Sequence, residues 1–155
     1  PEVEKMSVDA IRLINSYEIP CVVLTKGRLP RSLTSLSRIN QYGITLVSLN
    51  EDYRRAMEPG AAPLDERLDA LKKLSGDGWV SIEPYPTPNI CEQELRPILD
   101  SVSFTDRIVF GRVHYDKKSS SYQDADSFYR DAADQVREFC KERGIDCHIK
   151  SGTAD

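Results

Sequence analysis

The chain has 155 residues, of which 39% are hydrophobic and 30% are charged, and its formal net charge is -4. This length supports one domain with its own core, and the composition is ordinary for a soluble globular protein. The weak negative charge disfavours nucleic acid as a partner, and no apolar run approaches the roughly 18 residues of a membrane span. No signal peptide is recognisable. We therefore expect a single cytoplasmic domain over residues 1–155, with no membrane partner.

The four cysteines, Cys21, Cys91, Cys140 and Cys147, are scattered through apolar or helical segments. None of them forms the closely spaced pairs that indicate a zinc site or a disulfide framework. We expect reduced, mostly buried thiols, as in a cytosolic protein. No metal site is predicted.

Apolar residues at helical spacing alternate with short runs rich in β-branched residues. The first half predicts a helix around Val8 to Tyr17 capped by Ser7, a strand over 21–25, a helix over 33–39 stopped by Gly43, and a strand over 44–49. The second half predicts helices over 63–76, 95–102 and 128–143, and strands over 79–84, 107–113 and 145–149.

Five alternations of helix and strand predict a parallel sheet with right-handed crossovers. Both a barrel and an open doubly wound sheet satisfy this pattern. The chain opens on a helix, which favours a partial parallel (βα) barrel, that is, half of a TIM barrel whose first units lie elsewhere.

Functional side chains of parallel βα proteins gather at the carboxyl ends of the strands. In this sequence the residues after the predicted strands are polar or charged, whereas simple turns occupy the opposite edge. Lys26, after the first strand, is suited to a carboxylate or a phosphate, although a solvated strand-end lysine explains it equally well. Ser48, in the second strand, bonds either a ligand hydroxyl or a backbone carbonyl.

Glu83 closes the third predicted strand and needs a partner. An ion pair with Arg54, Arg55 or Arg112 is the default expectation, and a ligand amine is the alternative. The sequence contains no glycine-rich phosphate loop, no nucleophile elbow and no metal-ligand spacing of His and Glu. No catalytic residue is assigned.

One stretch carries a family resemblance. It runs through Val47-Ser48-Leu49, Arg55, Glu58-Pro59-Gly60-Ala61, Pro63 and Glu66-Arg67-Leu68. It resembles the second half of radical S-adenosylmethionine enzymes, closest to the spore photoproduct lyase-like branch. "VVLTK" upstream and "SIEPYPTPN" downstream are similar to neighbouring segments of that branch, so the resemblance covers roughly residues 20–90.

The resemblance implies a partial (βα)6 barrel in which a 4Fe-4S cluster cleaves S-adenosylmethionine to a 5′-deoxyadenosyl radical. It places Lys26 near the methionyl carboxylate and Ser48 at the ribose, with Arg55, Glu58 and Glu83 as cofactor-site lip or support residues. The family's C-x-x-x-C-x-x-C cluster loop is absent. We therefore expect the carboxyl-terminal part of a radical enzyme, whose cluster is held by another segment and which is inactive alone. The substrate is unidentified.

Two other functions stay open. The first is a non-radical βα domain that binds a small anionic metabolite through Lys26 and Arg28. The second is a non-catalytic interaction module that uses an open sheet edge and the acidic last helix. An open edge also predicts self-association, because its backbone groups are free to pair with another strand.

Overall fold

The computed structural model describes residues 2–74, 77–114 and 116–154, and a five-stranded parallel sheet lies at its centre. The strands are β1 Val22–Thr25, β2 Gln41–Thr45, β3 Asp77–Tyr85, β4 Arg107–Arg112 and β5 Asp146–Ile149. They are hydrogen-bonded in chain order, each parallel to the next. The predicted parallel α/β fold is confirmed, and this strand order is compatible with a segment of a barrel.

Six α-helices accompany the strands within the described ranges. They are α1 Glu2–Asn15, α2 Glu51–Met57, α3 Leu64–Lys72, α4 Leu95–Ser101, α5 Lys117–Ser120 and α6 Ala125–Arg143. A short 3-10 helix, Arg31–Ser35, lies between β1 and β2. The last helix ends at Arg143, as predicted, and Gly144 follows it in the left-handed conformation. None of the helices in the described part of the chain is long and apolar enough to cross a membrane.

The hydrophobic core lies on one face of the sheet. Right-handed crossovers between strands in sequential order place their helices on the same face. Accordingly, inward side chains of the central strands form a single buried cluster with side chains of α1, α3, α4 and α6. Its central members are Ile44, Val80, Ile82, Ile108 and Phe110 from the strands, and Val8, Ile11, Leu64, Leu71, Ile98, Leu99, Val136 and Phe139 from the helices.

The opposite face of the sheet is partly covered by its own side chains. The indole ring of Trp79 lies against Gly43, where an added Cβ would come within 2.4 Å of a ring atom. Glu83 lies in the same way against Gly111, where an added Cβ would come within 2.8 Å of Glu83 Cγ. Both glycines are therefore required by a close approach of a neighbouring strand's side chain.

The predicted α-helix over 33–39 is wrong. The segment forms only the 3-10 helix, which inserts Leu33 into the core. Hydroxyl groups of Thr34 and Ser35 donate to backbone oxygens three residues earlier, a local bonding that competes with an α-helix. Gly43, predicted to stop that helix, lies inside β2 instead.

Several boundaries also differ from the prediction, among them those of the second strand and the first helix. The second strand is Gln41–Thr45 rather than 44–49, because Gln41 and Tyr42 pair with both β1 and β3. The first helix begins at Glu2, so Ser7 is not its cap; its hydroxyl donates to the Val3 carbonyl within the helix. Gly76, the predicted end of the third helix, lies outside the described residues.

Candidate functional site

The connection between β2 and α3 contains a helix, α2, which is separated from the end of the strand by the five residues 46–50. The Asn50 side chain caps it by accepting hydrogen bonds from the backbone N–H groups of Asp52 and Tyr53, at 2.9 and 3.2 Å. Asn50 followed by two acidic residues is a sequence signature of a helix start, and it was missed. Helical periodicity did not reveal α2, because none of its residues is buried.

A turn follows α2 and brings Glu58 to the centre of a charged cluster. The N–H of Ala61 donates to the Glu58 carbonyl, with Pro59 and Gly60 at the corner. One carboxylate oxygen of Glu58 accepts from Lys26 Nζ at 2.6 Å, and the other accepts from Arg67 Nη2 at 2.9 Å. Lys26, Glu58 and Arg67 are called the Glu58 cluster below.

The three members of the Glu58 cluster differ in their contact with solvent. The Arg67 side chain is 0% exposed and that of Glu58 is 8% exposed, whereas that of Lys26 is 45% exposed. Two cations share one carboxylate, so the cluster has a formal charge of +1. Its only half-exposed group is an ammonium with three donors, of which Glu58 occupies one. The arrangement can therefore accept an anionic group at Lys26.

Further bonds brace the same connection. Arg54 donates to the Ala61 carbonyl at 2.8 Å and to Glu51 at 2.7 Å. Glu51 also accepts from the Leu64 N–H at the start of α3, at 3.0 Å, and this bond, followed by that from Arg54, lowers the pKa of the Glu51 carboxyl. The Ala62 N–H donates to the Lys26 carbonyl at 3.0 Å, which ties the connection to the end of β1.

Ser48 lies past the end of β2 and is only 2% exposed. Its hydroxyl oxygen accepts from the Asn50 N–H at 3.0 Å and lies 3.9 Å from Cys91 Sγ. Gln93 donates to the neighbouring Val47 carbonyl at 2.9 Å, so the segment after β3 closes over this position. Ser48 thus participates in the hydrogen bonding that starts α2, and the Cys91 segment separates it from solvent.

Arg55 and Glu83, the other two predicted site residues, form no ion pair with the Glu58 cluster. Arg55 is 70% exposed, and its closest ion-pair partner is Asp52 at 3.7 Å. Glu83 pairs with Lys150, at the end of β5, at 2.7 Å. The expected partners of Glu83 are engaged elsewhere: Arg54 with Glu51, Arg55 with Asp52, and Arg112 with Asp126.

Two tyrosines stabilise the carboxyl edge between β3 and β4. The fully buried Tyr129 hydroxyl donates to the Tyr85 carbonyl at 2.7 Å and accepts from the Val113 N–H at 3.1 Å. Burial raises the pKa of Tyr85 to about 12, and burial also raises the pKa of Tyr53, on α2, to about 12. Both phenols are therefore neutral near pH 7.

The cysteines are free: Cys91 and Cys140 are buried, while Cys21 and Cys147 are partly exposed. Burial raises the pKa of Cys140 to about 12, which makes its thiol unreactive at neutral pH. Within the described ranges, no three His, Cys, Asp or Glu side chains are grouped closely enough to hold a metal ion. These cysteines do not fit an iron–sulfur cluster.

Fold and site together define a parallel α/β protein with a positively charged cluster where β1 and β2 end. This chain matches no protein-family model, no curated protein and no solved structure.

Proposed function

We propose that this chain is the cofactor-facing, carboxyl-terminal half of a radical S-adenosylmethionine enzyme of the spore photoproduct lyase-like kind. The Glu58 cluster carries the proposal. It lies at the edge where parallel βα proteins bind ligands, and the half-exposed Lys26 ammonium has N–H donors besides the one bonded to Glu58. Lys26 would bind the methionyl carboxylate, a pairing favoured by the cluster's surplus positive charge.

The roles of the other residues follow from their contacts. Glu58 binds Lys26 and Arg67 through its own oxygens, so it supports the site instead of contacting the cofactor. Ser48 accepts a hydrogen bond from the Asn50 N–H, and Glu83 accepts one from Lys150 after β5. Both side chains therefore stabilise the carboxyl edge of the sheet through bonds within this chain. Arg55 is a lip residue on the exposed side of α2.

The iron–sulfur cluster is assigned to a segment outside these 155 residues, because the cysteines described above do not fit it. When bound, cluster and cofactor together supply the 5′-deoxyadenosyl radical. This chain's contribution is to orient the cofactor's amino-acid group through Lys26.

Nuclear magnetic resonance spectra of the isotopically labelled chain, titrated to millimolar S-adenosylmethionine, test the proposal because they detect weak binding. Resonances at the ends of β1 and β2 should shift. 5′-Deoxy-5′-methylthioadenosine, which lacks the carboxylate, should bind more weakly. Lys26→Met should weaken S-adenosylmethionine binding by about fivefold, the factor that ~1 kcal/mol represents for a partly exposed ion pair.

Lys73→Met is the matched control, because Lys73 is a solvent-exposed lysine with a distant carboxylate partner at 4.0 Å. Equal loss in both variants, or shifts confined to another surface, would overturn the assignment of the cofactor to this edge.

The Lys26 ammonium also supports the alternative of a small anionic metabolite. Inorganic phosphate is the probe for it. If phosphate shifts the same resonances as strongly as S-adenosylmethionine does, and the methylthioadenosine compound shifts none, the alternative replaces the radical enzyme.

A further inference from the structure

The largest fully buried side chain is that of an arginine, Arg67 on α3. Arginine is almost never fully buried unless its charge is paired. Helical spacing places Arg67 on the same face as Leu64 and Leu71, but it does not show which groups pair with the charge; the tertiary structure does. Its burial requires that each nitrogen of the guanidinium find a hydrogen-bond acceptor.

The guanidinium contacts three separate parts of the site. Its Nε donates to the Ala62 carbonyl at 2.8 Å, its Nη1 to the Thr45 carbonyl at 2.8 Å, and its Nη2 to Glu58 at 2.9 Å. Thr45 is the last residue of β2, and Ala62 donates its own N–H to the Lys26 carbonyl. One side chain therefore connects the ends of β1 and β2 to the turn that carries Glu58.

Lys26 depends on this arrangement through Glu58. Glu58 lies on a turn between two helices, where the backbone alone leaves its side chain free to reorient. The bond from Arg67 holds one carboxylate oxygen, and the other oxygen then faces Lys26 Nζ. Without the buried arginine, the carboxylate would lose its internal partner and turn towards water.

We propose that Arg67 is a positioning residue, which acts through Glu58 to hold the Lys26 ammonium in place for an anionic ligand group. The ligand part of this inference rests on the proposed function; the coupling between Arg67 and Lys26 does not. Lysine is no substitute for Arg67, because a single ammonium cannot span three acceptors that the planar fork of arginine reaches.

The first arm of the test needs no ligand. Brief labelling of the native chain with acetic anhydride, followed by peptide mass spectrometry, measures how accessible each lysine is. In Arg67→Lys, Lys26 should be labelled several-fold faster than in the parent chain, while Lys73 in the same digest keeps its rate. An unchanged Lys26 rate would overturn the inference.

Arg54→Lys is the matched control for a general loosening of the connection. Arg54 is also an almost buried arginine that donates to a carbonyl of the turn, but its carboxylate partner is Glu51, not Glu58. It should leave Lys26 labelling unchanged. Equal acceleration in both variants would mean that Arg67 is only structural. Circular dichroism confirms folding, and Arg67→Gln, which keeps an N–H donor, replaces Arg67→Lys if the latter does not fold.

The second arm measures S-adenosylmethionine affinity in a double-mutant cycle. Arg67→Lys should weaken binding about fivefold, as Lys26→Met does, and the double variant should be no weaker than Lys26→Met. Additive losses would contradict action through Lys26. If the parent chain binds no S-adenosylmethionine, the proposed function fails, and the labelling arm still decides whether Arg67 positions Lys26.

Discussion

Replacing Tyr129 with phenylalanine removes a single oxygen that joins the ends of β3 and β4. That hydroxyl donates to the Tyr85 carbonyl and accepts from the Val113 N–H, and the side chain is completely buried. Leaving a buried polar group unpaired costs about 1–3 kcal/mol. The Tyr85 carbonyl is the more deeply buried partner, whereas Val113 is partly exposed and able to bind water. We therefore expect a loss of about 2 kcal/mol in the free energy of unfolding.

Urea unfolding monitored by circular dichroism measures this loss. For a chain of this size, about 2 kcal/mol corresponds to a fall of about 4–8 °C in the melting temperature. Tyr17→Phe is the control, because Tyr17 is exposed and its substitution should change stability by less than about 0.5 kcal/mol. A change equally small in Tyr129→Phe would refute the view that this hydroxyl holds the two strand ends together.

Three further predictions concern pH, reactivity and association. The pKa of Glu51 is lowered in the folded chain, chiefly by the Leu64 N–H, so its stabilising contribution is present above the ordinary carboxyl range and is lost as the pH falls. The free energy of unfolding of E51Q should depend less on pH between about 5 and 3 than that of the parent chain; an identical pH dependence in the two proteins would contradict this. The Cys140 thiol should resist a disulfide reagent at pH 8 in the native chain and react in urea, since burial raises its pKa to about 12; rapid native labelling would show otherwise. Lysine at Val22 and Leu24, exposed apolar residues of the edge strand β1, should reduce self-association in sedimentation experiments, and no difference would argue against association through that edge.

The long elements were predictable because their apolar residues repeat at spacings set by the backbone. The leucines of α3 follow a helical period, and the strands β3 and β4 contain the apolar residues Trp79, Val80 and Ile82 and the apolar run Ile108-Val109-Phe110. Three short elements, the 3-10 helix, α2 and α5, were not predictable from periodicity. The 3-10 helix resembles an α-helix in its spacing of leucines, but its Ser and Thr hydroxyls bond to their own backbone.

Which residues form β2 is decided by pairing with the neighbouring strands. Leu46, Val47 and Leu49 are as apolar as the strand itself, so the sequence favoured a strand at 44–49. The structure instead extends β2 back to Gln41, because the backbone N–H and C=O groups of Gln41 and Tyr42 pair with β1 and β3. A local hydrophobic pattern carries no information about this pairing. Gly43 belongs in the strand because Trp79 covers it.

The sequence by itself determined the alternation of helices and strands, and hence a parallel sheet whose charged residues gather at one edge. It also placed Lys26 directly after the first strand, since the apolar, β-branched run before it ends there. Only the tertiary structure decided which charges meet. Lys26 and Glu58 are 32 positions apart, and their ion pair depends on a buried arginine on a third element. Such contacts come from packing distant segments together, where each buried charge must find an acceptor, and no local pattern encodes that requirement.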